Sequence, residues 1–328
     1  MFVFGDSLVD DGNNNYLSSL AKSNYYPYGI DFSRAPLGGS AMEKLLSMYY
    51  KIIKLVFLFF TLSGDLLGLP YLPPYTSPGL NGTRLLGGVN YASAAGGILD
   101  ETGRYLGDRF GLNQQVLNVQ SNLNEIRALL GGAMTTSNNY LLPSLYTSSY
   151  NYTPEQYANL LLNHYTRQIL ALYSMGLRKF LLAGVGPLGC IPSQRASGLA
   201  PADRCVDQVN QMVGFFNRGV RSLVQQLNTN HPGAIFVYGN TYGAVGDILN
   251  NPAAYGFTVV DRGCCGLGRN QGQVTCLPFV VPCTNRNQHV FWDAFHPTQA
   301  VNLILAQRAY TGPQNDVYPI NVQQLAQP

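Results

Sequence analysis

The chain of 328 residues is 46% apolar and only 11% charged, enough to bury a large core and too weakly charged for a disordered polyelectrolyte. Its net charge of +3 is scattered, with no basic patch interleaved with aromatics, which argues against a nucleic-acid partner and against steering of an acidic substrate. No Ser/Gly/Pro-rich or charge-block linker divides it, so a single domain over 1–328 is expected, and its 22 Tyr and 35 Gly suit neutral, partly apolar or glycan-like ligands.

In chain order, Met1 to Phe4 reads as a strand that ends in Gly5-Asp6-Ser7. No basic-then-apolar leader precedes it, so a secreted protein is expected to start here by truncation. Asn13-Asn14-Asn15 reads as a polar loop that satisfies backbone. The apolar run Ile52 to Leu62 is interrupted by Lys54 and falls short of the about 20 residues a helix needs to cross a bilayer, so no transmembrane segment is expected. Pro154 to Met175 has helical periodicity and opens on Thr153 as N-cap, Pro154 at N1 and Gln156 at N3. Strand-like runs follow at Lys179 to Val185 and Ala234 to Tyr238, separated by a helical Val206 to Asn228, and Thr298 to Ala309 reads as a last helix. This alternation implies parallel βαβ units, with a ligand site beyond the carboxyl ends of the strands.

Six cysteines (Cys190, Cys205, Cys264, Cys265, Cys276 and Cys283) lie in the second half without a CxxC pair. Disulfides are the expectation; zinc held by the last four competes, but adjacent cysteines fit a tetrahedral site poorly. Sequons at Asn81-Gly82-Thr83 and Asn151-Tyr152-Thr153 join the cysteines in favouring an oxidising, secretory compartment.

Two segments carry chemistry. Ser7 stands where a strand enters what is expected to be a helix N-terminus, whose N–H groups suit a developing anion. Near the other end, Trp292-Asp293-Ala294-Phe295-His296-Pro297 sets a carboxylate three residues before an imidazole, so both can share one turn. A serine hydroxyl needs a base to take its proton, and the base needs a carboxylate to fix its tautomer; Ser7, His296 and Asp293 supply those parts. His164, His231 and His289 belong to no such grouping and are expected to be structural or solvated.

Phe4-Gly5-Asp6-Ser7-Leu8-Val9-Asp10 with Gly12-Asn13-Asn14-Asn15, Gly88 to Ile98, and Asp293-Ala294-Phe295-His296-Pro297 resemble, in order, blocks of the plant-type GDSL esterase/lipase family of the SGNH hydrolases. Thr153 to Tyr157, Gly176 to Phe180, Gly184 to Cys190 and Gly263 to Gly266 extend the resemblance over most of the chain. It implies a flavodoxin-like, three-layer α/β/α sandwich around a mainly parallel sheet. It also implies a secreted, monomeric, cofactor-free and metal-free serine ester hydrolase acting on lipid, acyl or acetyl esters, acetylated glycans included, through an acyl-enzyme. The oxyanion is expected at backbone N–H groups of Ser7 and of Ala95-Gly96-Gly97, where small residues permit close approach.

Two places depart from the family. The strand leading into a Gly-x-Asn-Asp block is not found near 131–152, where a stretch looks deleted; Asn138 is the substitute considered for its oxyanion donor. Without that strand its neighbours would keep unpaired edges, and loss of one donor slows acyl transfer by about 10²–10³. The 35–63 segment lacks family character and reads as a gene-model artefact or, alternatively, a lipid-facing lid. These departures leave two alternatives to hydrolysis: an impaired relative that binds acyl or glycan ligands, or an acyltransferase.

Overall fold

The computed structural model describes residues 1–30, 66–68, 72–130, 138–141 and 152–327, with 138–141 described by their backbone alone. The atypical 35–63 segment, the Ile52–Leu62 run, the Asn151 sequon and most of the 131–152 region lie outside these residues.

The architecture is α/β. β1 (Phe2–Phe4), β2 (Val89–Asn90), β3 (Asn138–Leu141), β4 (Lys179–Ala183), β5 (Ile235–Gly239) and β8 (Val317–Tyr318) form one sheet in the order β2-β1-β3-β4-β5-β8. All pairs are parallel except β5 with β8. β6 (Val259–Gly263) and β7 (His289–Phe291) form a separate parallel pair. Helices α1 (Leu112–Leu129), α2 (Pro154–Ser174), α3 (Pro192–Ala196), α4 (Asp207–Asn230), α5 (Thr241–Asn250), α6 (Gln299–Thr311) and α7 (Val322–Leu325) connect and follow the strands.

The three strands and three helices read from the sequence all form, with ends displaced by one or two residues. At the start of α2 the expected box is complete: the Thr153 side chain accepts from Gln156 N, and the Gln156 side chain accepts from Thr153 N. Strand side chains alternate between two apolar clusters. Phe2, Phe4, Phe180, Leu182 and Phe236 join residues of α1, α2 and α4, whereas Val3, Leu181, Ala183 and Val237 join Ala309 of α6 and Val322 and Leu325 of α7.

The missing central strand is a correction. Asn138–Leu141 runs between β1 and β4, pairing Phe2 with Asn139 and Phe4 with Leu141 on one side, and Asn138 with Lys179 on the other. The edges expected to be bare are paired. A backbone ladder needs only four residues, and this one opens with two asparagines, which strands ordinarily avoid, so no apolar run announces it.

Candidate active site

Ser7 follows β1 on a turn in which Val9 N and Asp10 N both donate to Asp6 O, at 3.2 and 3.0 Å. The helix expected here does not continue past that turn. Asp10 draws the chain away: its Oδ1 accepts from Gly12 N at 2.9 Å and Asn13 N at 2.7 Å, and its Oδ2 from Ala94 N at 2.8 Å. Gly12, at φ 107°, then turns into a short 3-10 segment. Burial pushes the Asp10 carboxyl up to about 6 against the pull of these amides.

The asparagines of the cluster tie the same loops together, as expected of them. Asn13 Nδ2 donates to the carbonyls of Asn90 and Ala92, at 2.9 and 2.7 Å. Asn14 Nδ2 donates to Ala94 O at 2.8 Å, while its Oδ1 accepts from Ser93 Oγ at 2.5 Å. The 94–97 loop is thereby held to the loop carrying Ser7.

Within that loop the three small residues differ. Gly96 N donates to Ser93 O at 2.9 Å, and a Cβ on Gly96 would stand 2.3 Å from Phe110 O. On Gly97 a Cβ would meet the Thr102 side chain at 2.5 Å, so packing alone demands both glycines. Ala95 sits at φ 65°, a left-handed conformation costing a non-glycine residue about 1 kcal/mol. Among the described residues the N–H groups of Ser7, Ala95 and Gly97 donate to no hydrogen-bond acceptor. Asn138 begins β3, at the end of the strand opposite the level of Phe4 and hence of Ser7.

Asp293 and His296 do share one turn. Asp293 Oδ1 accepts from Phe295 N and His296 N, both at 2.8 Å, which closes the loop between β7 and α6. His296 Nδ1 lies 2.8 Å from Oδ1 and 2.9 Å from Oδ2 of Asp293. A carboxylate only accepts, so the proton belongs on Nδ1 and Nε2 is left bare. Nε2 lies 2.8 Å from Ser7 Oγ, although 289 residues separate the two in sequence.

Burial opposes the charged forms of both partners. Even so, the mutual attraction and hydrogen bonding of the pair hold the Asp293 carboxyl below the usual range and the His296 imidazole above it, with the Asp6 charge adding to the latter.

One member of the site had no signal in the sequence. Tyr28 Oη donates to Asp293 Oδ2 at 2.6 Å; burial and then the adjacent Asp293 charge push its phenol well above 10, so it remains a donor. Tyr28 packs edge-on against Trp292, with ring centroids 6.1 Å apart, and against the two disulfides Cys264–Cys283 and Cys265–Cys276. Those bridges consume the four cysteines weighed as zinc ligands, and Cys190–Cys205 takes the remaining pair. Cys264 N and Cys265 N donate to Phe291 O and Trp292 O at 3.0 and 2.7 Å, so the stapled segment braces the backbone that carries Asp293.

From Ser7 and His296 a cleft runs toward α5 and α6, walled by Val185, Leu188, Ile191, Val245, Val301 and Leu305. The loop after β4 forms one wall and is pinned by Asn217, which accepts from Val185 N and donates to Val185 O, each at 2.8 Å. The other histidines stand elsewhere: His164 beside Arg167, His231 against Tyr173, and His289 beside Asn285 O.

A GDSL-like Lipase/Acylhydrolase family profile matches residues 1–309. The chain is similar to GDSL esterase/lipase At1g71250 of Arabidopsis thaliana, 54% identical over 99% of this chain and 88% of that one. GDSL esterase/lipase At5g08460 of the same plant is 51% identical over 99% and 87%, and its GDSL esterase/lipase 7 is 44% identical over 99% and 91%.

Proposed function

The chain belongs to the GDSL-like lipase/acylhydrolase family, and on that premise we propose that it hydrolyses carboxylic esters with Ser7 as nucleophile, His296 as general base and acid, and Asp293 as the group that orients His296. The carrying observation is the 2.8 Å approach of His296 Nε2 to Ser7 Oγ, with Nδ1 held by Asp293.

Ser7 Oγ forms a bond to the ester carbonyl carbon as its proton passes to Nε2. The carbon–oxygen bond to the alcohol then breaks, and the imidazolium returns the proton to the departing oxygen. Water repeats the sequence on the acyl-enzyme: its proton goes to Nε2, its oxygen to the acyl carbon, and Ser7 leaves reprotonated. The negative oxygen formed in each step is assigned to the N–H groups of Ser7 and Ala95. Support comes from their lack of other acceptors, shared by Gly97 N, whereas Gly96 N already donates to Ser93 O. Asn138 carries no part of this proposal.

We also read the fold as a three-layer α/β/α sandwich, supported by the two apolar clusters on which alternate strand residues fall. Secretion is supported by three disulfides and by an exposed Asn81 in its sequon.

The purified protein is expected to release p-nitrophenol from its butyrate ester and to be labelled by a fluorophosphonate at Ser7 alone. Labelling at another residue, or turnover that persists with Ser7 blocked, rejects the mechanism. Only the neutral imidazole accepts the serine proton, so kcat/KM should fall as pH drops through the His296 ionisation. Because that ionisation is raised, the acid limb is expected above the 6.5 of ordinary imidazole. A limb below 6.5 contradicts the Asp293 partnership.

Tyr28 is proposed as a positioning residue. Tyr28→Phe should lower kcat by about tenfold with little change in KM, because Asp293 loses one charge-assisted bond yet keeps its backbone donors. An Asp293 carboxylate that no longer shares its charge with the phenol binds the imidazolium more strongly, so the acid limb should also move upward. A loss of thermal stability with an unmoved pH profile would reduce Tyr28 to a packing role.

A further inference from the structure

Resting on the assignment of Ser7 as the acyl-accepting nucleophile, we propose that the cleft beside it holds an aliphatic acyl chain that carries an oxygen substituent, read by Asn302. The walls named above are aliphatic, and most of the remaining lining is apolar too, so the recess suits hydrocarbon. Asn302 breaks that pattern. It lines the same recess and is 3% exposed, on the stripe of α6 shared by Val301, Leu305, Ala306 and Ala309, where an aliphatic side chain would ordinarily pack.

Its backbone N–H continues the helix by donating to Thr298 O at 3.1 Å, whereas its side chain lines the recess and, among the described residues, is tied to no other side chain or loop. An amide that opens onto a recess takes its hydrogen bonds from what fills the recess. Thr241, the first residue of α5, adds a hydroxyl to the same lining. Both hydrogen-bonding side chains face a chain already surrounded by methyl groups, which is the chemistry of an oxo- or hydroxyacyl limb rather than a plain one.

The acyl limb, not the alcohol, is assigned to the recess on mechanistic grounds. The alcohol must depart before water attacks, whereas the acyl group stays bonded to Ser7 through both steps and profits from a walled seat throughout.

The test compares p-nitrophenyl octanoate with the p-nitrophenyl esters of the isomeric oxo-octanoic acids. At least one oxo isomer should exceed octanoate in kcat/KM by about tenfold, since a matched amide–carbonyl pair forms away from water in the walled recess. Asn302→Leu, close in volume, should collapse or invert that ratio, and Val245→Phe should shift the preference of a plain-chain series toward shorter acids. Equal rates for all isomers in the wild type, or a ratio that survives Asn302→Leu, overturns the inference and assigns the amide to water.

To keep this separate from the hydrolase assignment, the free octanoic and oxo-octanoic acids are titrated calorimetrically against Ser7→Ala, which needs no turnover. Oxo-selective binding lost in the Ser7→Ala, Asn302→Leu double variant supports the recess even if ester hydrolysis fails. Ser7-dependent hydrolysis without such selectivity refutes the recess alone, and selectivity expressed only across a series of alcohols moves the oxygenated limb to the leaving group and refutes the acyl assignment.

Discussion

Ser7→Ala and His296→Ala are each expected to lower kcat for p-nitrophenyl butyrate by about 10⁴–10⁶, and the double variant to lose little more than either single one. Without the hydroxyl there is no acyl-enzyme, and only water activated by the remaining imidazole can attack. Without the imidazole the hydroxyl keeps its proton at neutral pH and is a poor nucleophile. Each residue acts only through the other across the 2.8 Å contact, so their losses overlap instead of adding. Residual activity should reflect the N–H groups around the oxyanion, which neither substitution touches. Losses that add would mean two independent routes to the ester and would refute the coupled mechanism.

Asp293→Asn should cost about 10⁴ in kcat while leaving the fold intact. An asparagine oxygen can still accept from Phe295 N and His296 N, as Asp293 Oδ1 does at 2.8 Å, so the turn survives. The damage falls on the tautomer. The new NH₂ faces Nδ1 as a donor, the ring proton moves to Nε2, and Nε2 can no longer accept from Ser7. The buried negative charge that stabilises the imidazolium is lost as well. Histidine NMR should report the change of tautomer directly, with near-native circular dichroism. A loss under about tenfold, with Nδ1 still protonated, would remove Asp293 from the mechanism.

Much of the sheet was legible because parallel strands buried on both faces read as continuous apolar runs, as β4 and β5 do, and because the Thr153 cap has a spacing only a helix start explains. β3 escaped because its stability comes from backbone bonds to two neighbours, which sequence composition does not record. The helix predicted after Ser7 stopped at one turn because the Asp10 carboxylate recruits amides from Gly12 and from Ala94, a contact spanning 84 residues that no local window contains.

Asp293 and His296 were readable since their geometry is local. Tyr28 was not: it lies 265 residues from the carboxylate it serves, in a Tyr-rich stretch that resembles any amphipathic loop. Asn302 is legible only in retrospect, as a polar letter on the apolar stripe of the last long helix.

The 289-residue span between hydroxyl and imidazole also has a temporal meaning. A ribosome delivers Ser7 289 residues ahead of His296, so throughout that interval the nascent polypeptide carries a hydroxyl without its imidazole. Its β1 must wait for β3 and β4 before the central ladder closes. On the proposed mechanism, hydrolytic competence therefore arrives all at once, and a polypeptide released before His296 is added holds Ser7 with nothing to take its proton.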